Sequence, residues 1–172
     1  MADNLTLKID TKDLEKLLKR FPSFEAIIFE EINAAMHGGL AIFQEQVQGR
    51  TPVGVSGDLR KSIMPVVRGT PQNLQGELVT SLVYGEPVER GREPGKWPPI
   101  DAIELWVQRK LGIGPDESRS VAFLIARKIG TVGTQGAFMF EKGFEAGKSA
   151  VEKLWALAPE KAARRIEAEL NK

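Results

Sequence analysis

Residues 51–91 read TPVGVSGDLRKSIMPVVRGTPQNLQGELVTSLVYGEPVERG and contain the best β-forming runs of the chain. The stretch opens with an arm punctuated by proline and glycine, and a short basic helix is predicted at 56–63. Two β-rich runs, at 64–68 and 78–84, are joined by a polar turn and predict an antiparallel hairpin. A proline-containing corner at 87–91 ends the second run. These parts predict a docking surface, because none of them carries a catalytic constellation.

Helices are predicted on both sides of this segment. Apolar residues recur at spacings of three and four before it, which predicts a long helix from Ser23 to about Gln48. The apolar stripe consists of Phe24, Ile28, Ile32, Met36, Leu40, Phe43 and Val47. Gly38-Gly39 lies inside it, and each glycine costs about 1 kcal/mol relative to alanine in a helix. The pair therefore predicts either a bend or the close approach of another backbone.

Further helices are predicted after the corner. The first covers 98–111, and the second runs from Asp116, as its cap, to Gly130. A flexible linker at 131–136 then precedes a helical segment at 137–172 that is expected to break at Pro159. The first of these helices is predicted to bury one face, formed by Ile100, Ile103, Trp106, Val107 and Leu111.

The predicted fold class is α+β, with a small antiparallel sheet, a long N-terminal helix and several C-terminal helices. A chain of 172 residues is most simply one domain, 1–172. Its core is predicted to occupy 1–136, beginning with a short strand at 5–9 and a helix at 10–20. The segment 137–172 is predicted to be a C-terminal helical extension of that core.

Composition narrows the classes of function. An apolar share of 42% and a charged share of 27% are typical of soluble globular proteins. The formal net charge of +1 predicts no strong attraction of the whole molecule to nucleic acid or to a membrane. The sequence has no cysteine, which excludes thiolate catalysis, disulfides and cysteine-based zinc sites. No signal peptide or long apolar run is recognised, so we expect a soluble intracellular protein with no membrane partner.

Catalytic templates find little support in the residues. His37 is the only histidine, and it lies in the middle of a predicted helix, a setting typical of a structural or surface residue. Asp58, Glu89, Asp101 and Glu104 are the carboxylates of a hypothetical metal-dependent nuclease site. Their spacing is equally common on solvated helices, and no phosphate-binding glycine loop is present. We therefore predict no catalytic, metal-binding or cofactor-binding residue, and no cofactor.

Basic residues of the central segment are candidates for contact with nucleic acid. Arg60 and Lys61 form one group, and Arg90 and Arg92 form another. Together they could contact DNA phosphates without reading sequence. Solubility, or ion pairs with a neighbouring subunit, accounts for the same residues and is favoured, because aromatic residues that would stack bases are not interleaved with them.

Three motifs in the chain resemble, in order, those of a tailed-bacteriophage family of neck, tail-completion and minor tail proteins. Residues 51–63, TPVGVSGDLRKSI, are similar to the family signature TPV-x-T-G-x-L-R-x-S-I, and depart from it at Gly54-Val55-Ser56. Residues 84–91 match a Tyr-x-x-x-Val-Glu-x-Gly corner through Tyr84, Val88, Glu89 and Gly91. Residues 136–140, GAFMF, resemble the Gly-x-x-(Phe/Met) motif before the last helix. The resemblance covers roughly 46–144.

The resemblance implies a structural virion protein, not an enzyme, that forms a ring at the head–tail interface. The implied partners are further copies of itself in a six-fold or twelve-fold ring, connector or head-closure proteins, tail-terminator or tail-tube proteins, and genomic DNA passing non-specifically through the lumen. The implied location is the neck or tail of the virion after synthesis in the host cytoplasm. The predicted interface residues are Thr51, Pro52, Val53, Leu59, Arg60, Tyr84, Val88, Glu89 and Gly91. The alternatives are a DNA-associated metal-dependent nuclease and a non-specific DNA-binding accessory protein.

Overall fold

The computed structural model describes residues 22–70 and 72–171, so the strand predicted at 5–9 and the helix predicted at 10–20 lie outside it. The helices are α1 (Pro22–Arg50), α2 (Asp58–Ser62), α3 (Gly85–Arg90), α4 (Ile100–Trp106), α5 (Pro115–Val132) and α6 (Met139–Leu170). The strands are β1 (Ile63–Thr70), β2 (Asn73–Thr80), β3 (Gly91–Arg92) and β4 (Thr134–Gln135), and a π-helical turn (Val107–Leu111) continues α4. The predicted α+β class, with a long first helix and an antiparallel two-stranded sheet, is confirmed.

The chain forms two compact units. Among the described residues, the first combines 22–49 with those of Ile63–Val79 and those from Lys142 onward. The second combines Arg50–Ser62 with Thr80–Glu141. Most of α6, predicted as an extension of a core at 1–136, therefore lies in the same unit as α1. That the whole chain is one domain stays a prediction.

The first unit is built on an antiparallel pair of long helices, α1 and α6. Facing positions are Val47 with Gly143, Phe43 with Gly147, Gly39 with Val151 and Glu31 with Arg165. Residue numbers fall along α1 as they rise along α6, so the helices run in opposite directions. Near one end, the rings of Phe43 and Phe144 pack edge to face with centroids 4.8 Å apart. Such aromatic pairs contribute about 1 kcal/mol beyond the area that they bury.

The Gly38-Gly39 pair in α1 marks a close approach and leaves the helix unbroken. A Cβ atom on Gly38 would lie 2.8 Å from Cδ2 of Leu154. One on Gly39 would lie 3.0 Å from Nε1 of Trp155. The glycines therefore make room for side chains of α6 in the same chain, and the predicted approach of another backbone is not what the structure shows.

The sheet packs on α1 through one face of β2. Leu74 is buried and contributes to a core cluster with Met36 and Leu40 of α1. Gly76 is also buried. It has to be a glycine, because any side chain there would collide with the same two residues of α1. With Leu78, these positions alternate along β2 as a strand with one buried face requires.

The second strand predicted at 78–84 was therefore placed too late, since β2 ends at Thr80. The apolar run Leu82-Val83-Tyr84 looked like a strand, but in the structure it lies beyond the sheet.

The break predicted at Pro159 is also wrong, because α6 continues through it. A proline inside a helix costs about 3 kcal/mol. Packing next to it opposes that cost: Ala158 is buried, and Arg165 donates hydrogen bonds of 2.7 Å and 2.6 Å to Glu31 and Glu30 of α1. These hydrogen bonds to the carboxylates of Glu30 and Glu31 raise the pKa of Arg165.

Two boundaries in the second unit differ from the prediction. Helix α5 begins at Pro115 with Gly114 as its cap, so Asp116 lies in the first turn. The helix continues past Gly130, whose missing side chain leaves room for the indole of Trp97. The supposed flexible linker at 131–136 contains the end of α5 and β4, which pairs antiparallel with β3.

Helix α1 meets one test that the sequence was not expected to meet. From Phe24 to Arg50 it is long and apolar enough to cross a membrane, judged by length and composition over the described residues. The core helix of a soluble protein satisfies the same test, and α1 buries Met36, Leu40 and Val47 in the first unit. The result is therefore weak evidence for a membrane segment.

We expect Gly143→Ala to destabilise the protein by about 2 kcal/mol, because overpacking a close helix contact has a cost of this size. The new Cβ would lie 2.8 Å and 2.9 Å from the Cα and backbone N of Val47, so one helix must shift. The control is Gly49→Ala, since no atom lies within 4 Å of that Cβ position. Thermal unfolding followed by circular dichroism measures both, and equal melting temperatures for the two variants would contradict the close contact.

Candidate interface in the second unit

The three motifs singled out in the sequence meet in the second unit. The arm and the corner are in contact where Leu59 of α2 packs beside Gly85 of α3. A Cβ atom on Gly85 would lie 3.6 Å from Cδ1 of Leu59. The hydroxyls of Ser62 and Thr80 share a hydrogen bond of 2.7 Å. The corner and the segment before α6 are joined by β3 and β4, whose register pairs Gly91 with Gln135.

The arm is closed by its own hydrogen bonds. Arg60 Nη2 donates to the carbonyl of Thr51 at 3.2 Å, across nine residues, and Thr51 is buried. Lys61 Nζ donates to the carbonyl of Ser56 at 3.1 Å, and the Ser56 hydroxyl donates to the Asp58 carboxylate. The short helix predicted at 56–63 forms from Asp58 to Ser62, and the Gly54-Val55-Ser56 departure lies in the loop that these bonds enclose.

The predicted corner takes the form of a short helix followed by a strand. The N–H of Gly85 donates to the carbonyl of Leu82 at 2.9 Å, and α3 begins there. Gly91 ends α3 with a φ of +85°, in the left-handed region that favours glycine. A side chain at Gly91 would also collide with the carbonyl of Thr134. The glycine of the motif is therefore required by backbone geometry.

Glu89 caps the last helix from a distance of about fifty residues along the chain. Its carboxylate accepts hydrogen bonds from the backbone N–H groups of Phe140, at 3.0 Å, and Glu141, at 3.3 Å. Its backbone carbonyl accepts from the N–H of Phe138 at 3.0 Å. The first N–H groups of a helix have no partner inside the helix, and the helix dipole favours a negative charge there. Glu89 therefore sets where α6 begins.

The predicted interface residues divide into internal and exposed groups. Thr51 and Leu59 are buried, and Glu89 and Gly91 have the internal roles described above. Pro52, Val53 and Tyr84 are exposed, whereas Arg60 and Val88 are partly buried. The sequence analysis missed Val83, which is 95% exposed. Its apolar neighbours made it look like part of a strand, so only the true end of β2 reveals it.

The basic residues proposed for phosphate contact are partly engaged within the unit. Arg60 and Lys61 donate to arm carbonyls, and Arg92 Nη2 donates to the carbonyl of Lys96 at 3.2 Å. Arg90 lies in the last turn of α3 and is exposed. Contact of these four residues with DNA stays a prediction.

The four carboxylates of the hypothetical nuclease site are divided among three different contacts. Asp58 bonds to its neighbour in the arm, and Glu89 caps α6. Asp101 and Glu104 accept from Nη1 of Arg119 at 3.2 Å and 3.0 Å. Over residues 22–70 and 72–171, no group of three or more histidine, aspartate or glutamate side chains is arranged to hold a metal ion.

Comparison with known proteins supplies no further constraint. No family model matches the chain, and neither a curated protein nor a solved structure matches it.

We expect Glu89→Ala to destabilise the protein by about 1–2 kcal/mol, the usual cost of losing a helix cap. Hydrogen exchange should quicken at the amides of Phe140 and Glu141, which lose their acceptor. Glu89→Gln keeps an acceptor without the charge. Its stability and its exchange rates should therefore lie between those of the wild type and those of Glu89→Ala.

The matched control for this capping role is Glu93→Ala, which removes an exposed carboxylate from the loop after β3. It should leave the melting temperature and the exchange at the start of α6 unchanged. Equal exchange in the Glu89 and Glu93 variants would refute the cap.

Proposed function

We propose that this protein is a structural subunit of a tailed-phage particle, acting as a neck or tail-completion ring at the head–tail interface. One observation supports the proposal most directly. The three motifs that resemble such proteins are separated in sequence, yet they lie in one compact unit and are joined there by hydrogen bonds and strand pairing. Chance similarity at three separate sites would not require such contacts.

The roles of the motif residues support a structural protein. Glu89 serves as a helix cap, Gly91 serves a left-handed turn, and Arg60 closes the arm. Each role explains why that residue type occurs at that position. Each role also maintains the shape of the backbone. The motifs therefore describe a shaped surface, which is what a subunit of an assembly needs.

The exposed apolar side chains of the same unit support association. Val53, Val83 and Tyr84 are 48%, 95% and 48% exposed. Scattered exposed apolar residues are normal, but these belong to the arm and the turn that hydrogen bonds hold in place. In the proposed ring these residues contact neighbouring subunits, and the partners are connector and tail proteins, with DNA passing through the lumen.

A nuclease is the weaker candidate, because its four carboxylates are divided among three different contacts. It predicts cleavage of DNA that depends on Mg²⁺ or Mn²⁺ and is lost in Asp101→Asn. The DNA-binding alternative predicts affinity that falls steeply with salt. Binding of DNA that does not vary with salt would count against it.

The decisive measurement is the position of the subunit in assembled particles. We expect a tagged copy, labelled with gold-conjugated antibody, to mark the junction of head and tail in negative-stain images. Without the protein, filled heads and free tails should accumulate separately, because the joint is missing. Label that is absent from particles, or found only on the capsid or tail tip, would rule out the proposal.

A further inference from the structure

We propose that copies of this protein associate by a heterologous contact, in which the turn Leu82–Gly85 of one copy docks on the outer face of α4 in the next. The inference rests on the ring proposed above and names the two surfaces that form each joint. Both surfaces belong to the second unit. The occupant of the α4 face is a second copy of this chain.

Helix α4 and its π-helical turn carry apolar residues on both sides. Val107 is fully buried on the inner side. On the outer side Ala102 is exposed, and Leu105 and Trp106 are 43% and 37% exposed. The helix therefore has a second apolar surface, beside its charged residues, that is exposed to solvent. Trp106 and Leu111 were both predicted on the buried face of this helix, and since Leu111 is 50% exposed the prediction is wrong for both.

Hydrogen bonds to α5 fix the rotation of α4, so that its outer face points to solvent. Ser118 of α5 is fully buried, accepts a hydrogen bond from Gln108 Nε2 at 2.9 Å and donates to Glu104 Oε1 at 3.1 Å. These bonds turn Glu104 and Gln108 toward α5. Successive residues of a helix are about 100° apart, so Leu105 and Trp106 cannot face α5 at the same time. Their exposure is therefore built into the packing.

The turn after β2 presents the complementary apolar surface. Val83 is 95% exposed and Tyr84 is 48% exposed. The N–H of Gly85 donates to the carbonyl of Leu82 at 2.9 Å, and the N–H of Leu82 donates to Thr80 Oγ1 at 3.3 Å. A turn already held in this way loses little conformational entropy when it docks.

The exposed charges favour contact of the turn with α4 over contact of two turns or of two α4 faces. Glu86 is exposed in the first turn of α3, directly after the docking turn. Arg109 is exposed in the π-helical turn, three residues after Trp106. Contact of one turn with another gains no attraction from Glu86, and contact of one α4 face with another gains little from Arg109. The carboxylate of the same face, Asp101, is already engaged by Arg119 at 3.2 Å. The heterologous contact instead sets opposite charges beside an apolar centre, and such contacts generate rings when the rotation closes.

The test uses variants that remove one surface each, studied by sedimentation velocity on the full chain. Val83→Asp disrupts the apolar surface of the turn, and Leu105→Asp disrupts the apolar surface of α4. Both side chains are exposed, so the fold should tolerate either change. The wild type should form species larger than a dimer, and each variant alone should be monomeric. An equimolar mixture should form a one-to-one dimer and nothing larger, because only one intact pair of surfaces remains.

A second pair of variants tests the charges without altering apolar residues. Glu86→Arg and Arg109→Glu should each weaken association by about tenfold, equivalent to roughly 1.4 kcal/mol. The double variant should recover most of the loss, because the pair is reversed and complementary again. The matched control is Leu124→Asp on α5, where a leucine that is 61% exposed lies outside both surfaces and assembly should match the wild type.

A wild type that stays monomeric, variants that still assemble, or a mixture that stays monomeric would each overturn the docking contact. Far-UV circular dichroism confirms that each variant is folded. Gold label at the head–tail junction combined with failure of the mixing experiment would reject the contact and leave the proposed function standing. The expected mixing result without label on particles would reject the proposed function and leave the contact standing.

Discussion

The hydrogen bonds from the start of α6 to the carboxylate of Glu89 are the interaction on which the rest of the structure depends. They satisfy N–H groups that the helix cannot satisfy itself, and they fix the residue at which the longest helix begins. Further along the same helix, Gly143 and Gly147 lie against Val47 and Phe43 of α1.

The second unit uses polar residues to hold its shape and leaves several of its apolar residues exposed. Arg60 closes the arm, and Ser118 fixes the rotation of α4. As a result Val83 and Trp106 are presented to solvent on rigid supports. A soluble monomer would gain stability by the opposite arrangement, since burial of an apolar side chain contributes about 2 kcal/mol. An assembly subunit gains its apolar burial when it associates, which is why this arrangement agrees with the proposed function.

Local patterns predicted the elements whose structure depends on local physics. The stripe of α1 follows the period of a helix, so its length and its buried face could be predicted. The corner at 87–91, the linker at 131–136 and the break at Pro159 could not, because each is decided by contacts between residues far apart in sequence. Strand pairing orders the linker, and packing on α1 keeps α6 intact through the proline.

The sequence by itself determined the α+β class, the first helix and the residue types of the motifs, because periodicity, turn chemistry and composition are local properties. Only the tertiary structure decided what those residues do. It made Glu89 a cap and Gly91 a required left-handed turn, and it placed Val83 and Trp106 outside. A side chain's partner and its exposure depend on which distant segments meet it, and no pattern of neighbours along the chain contains that information.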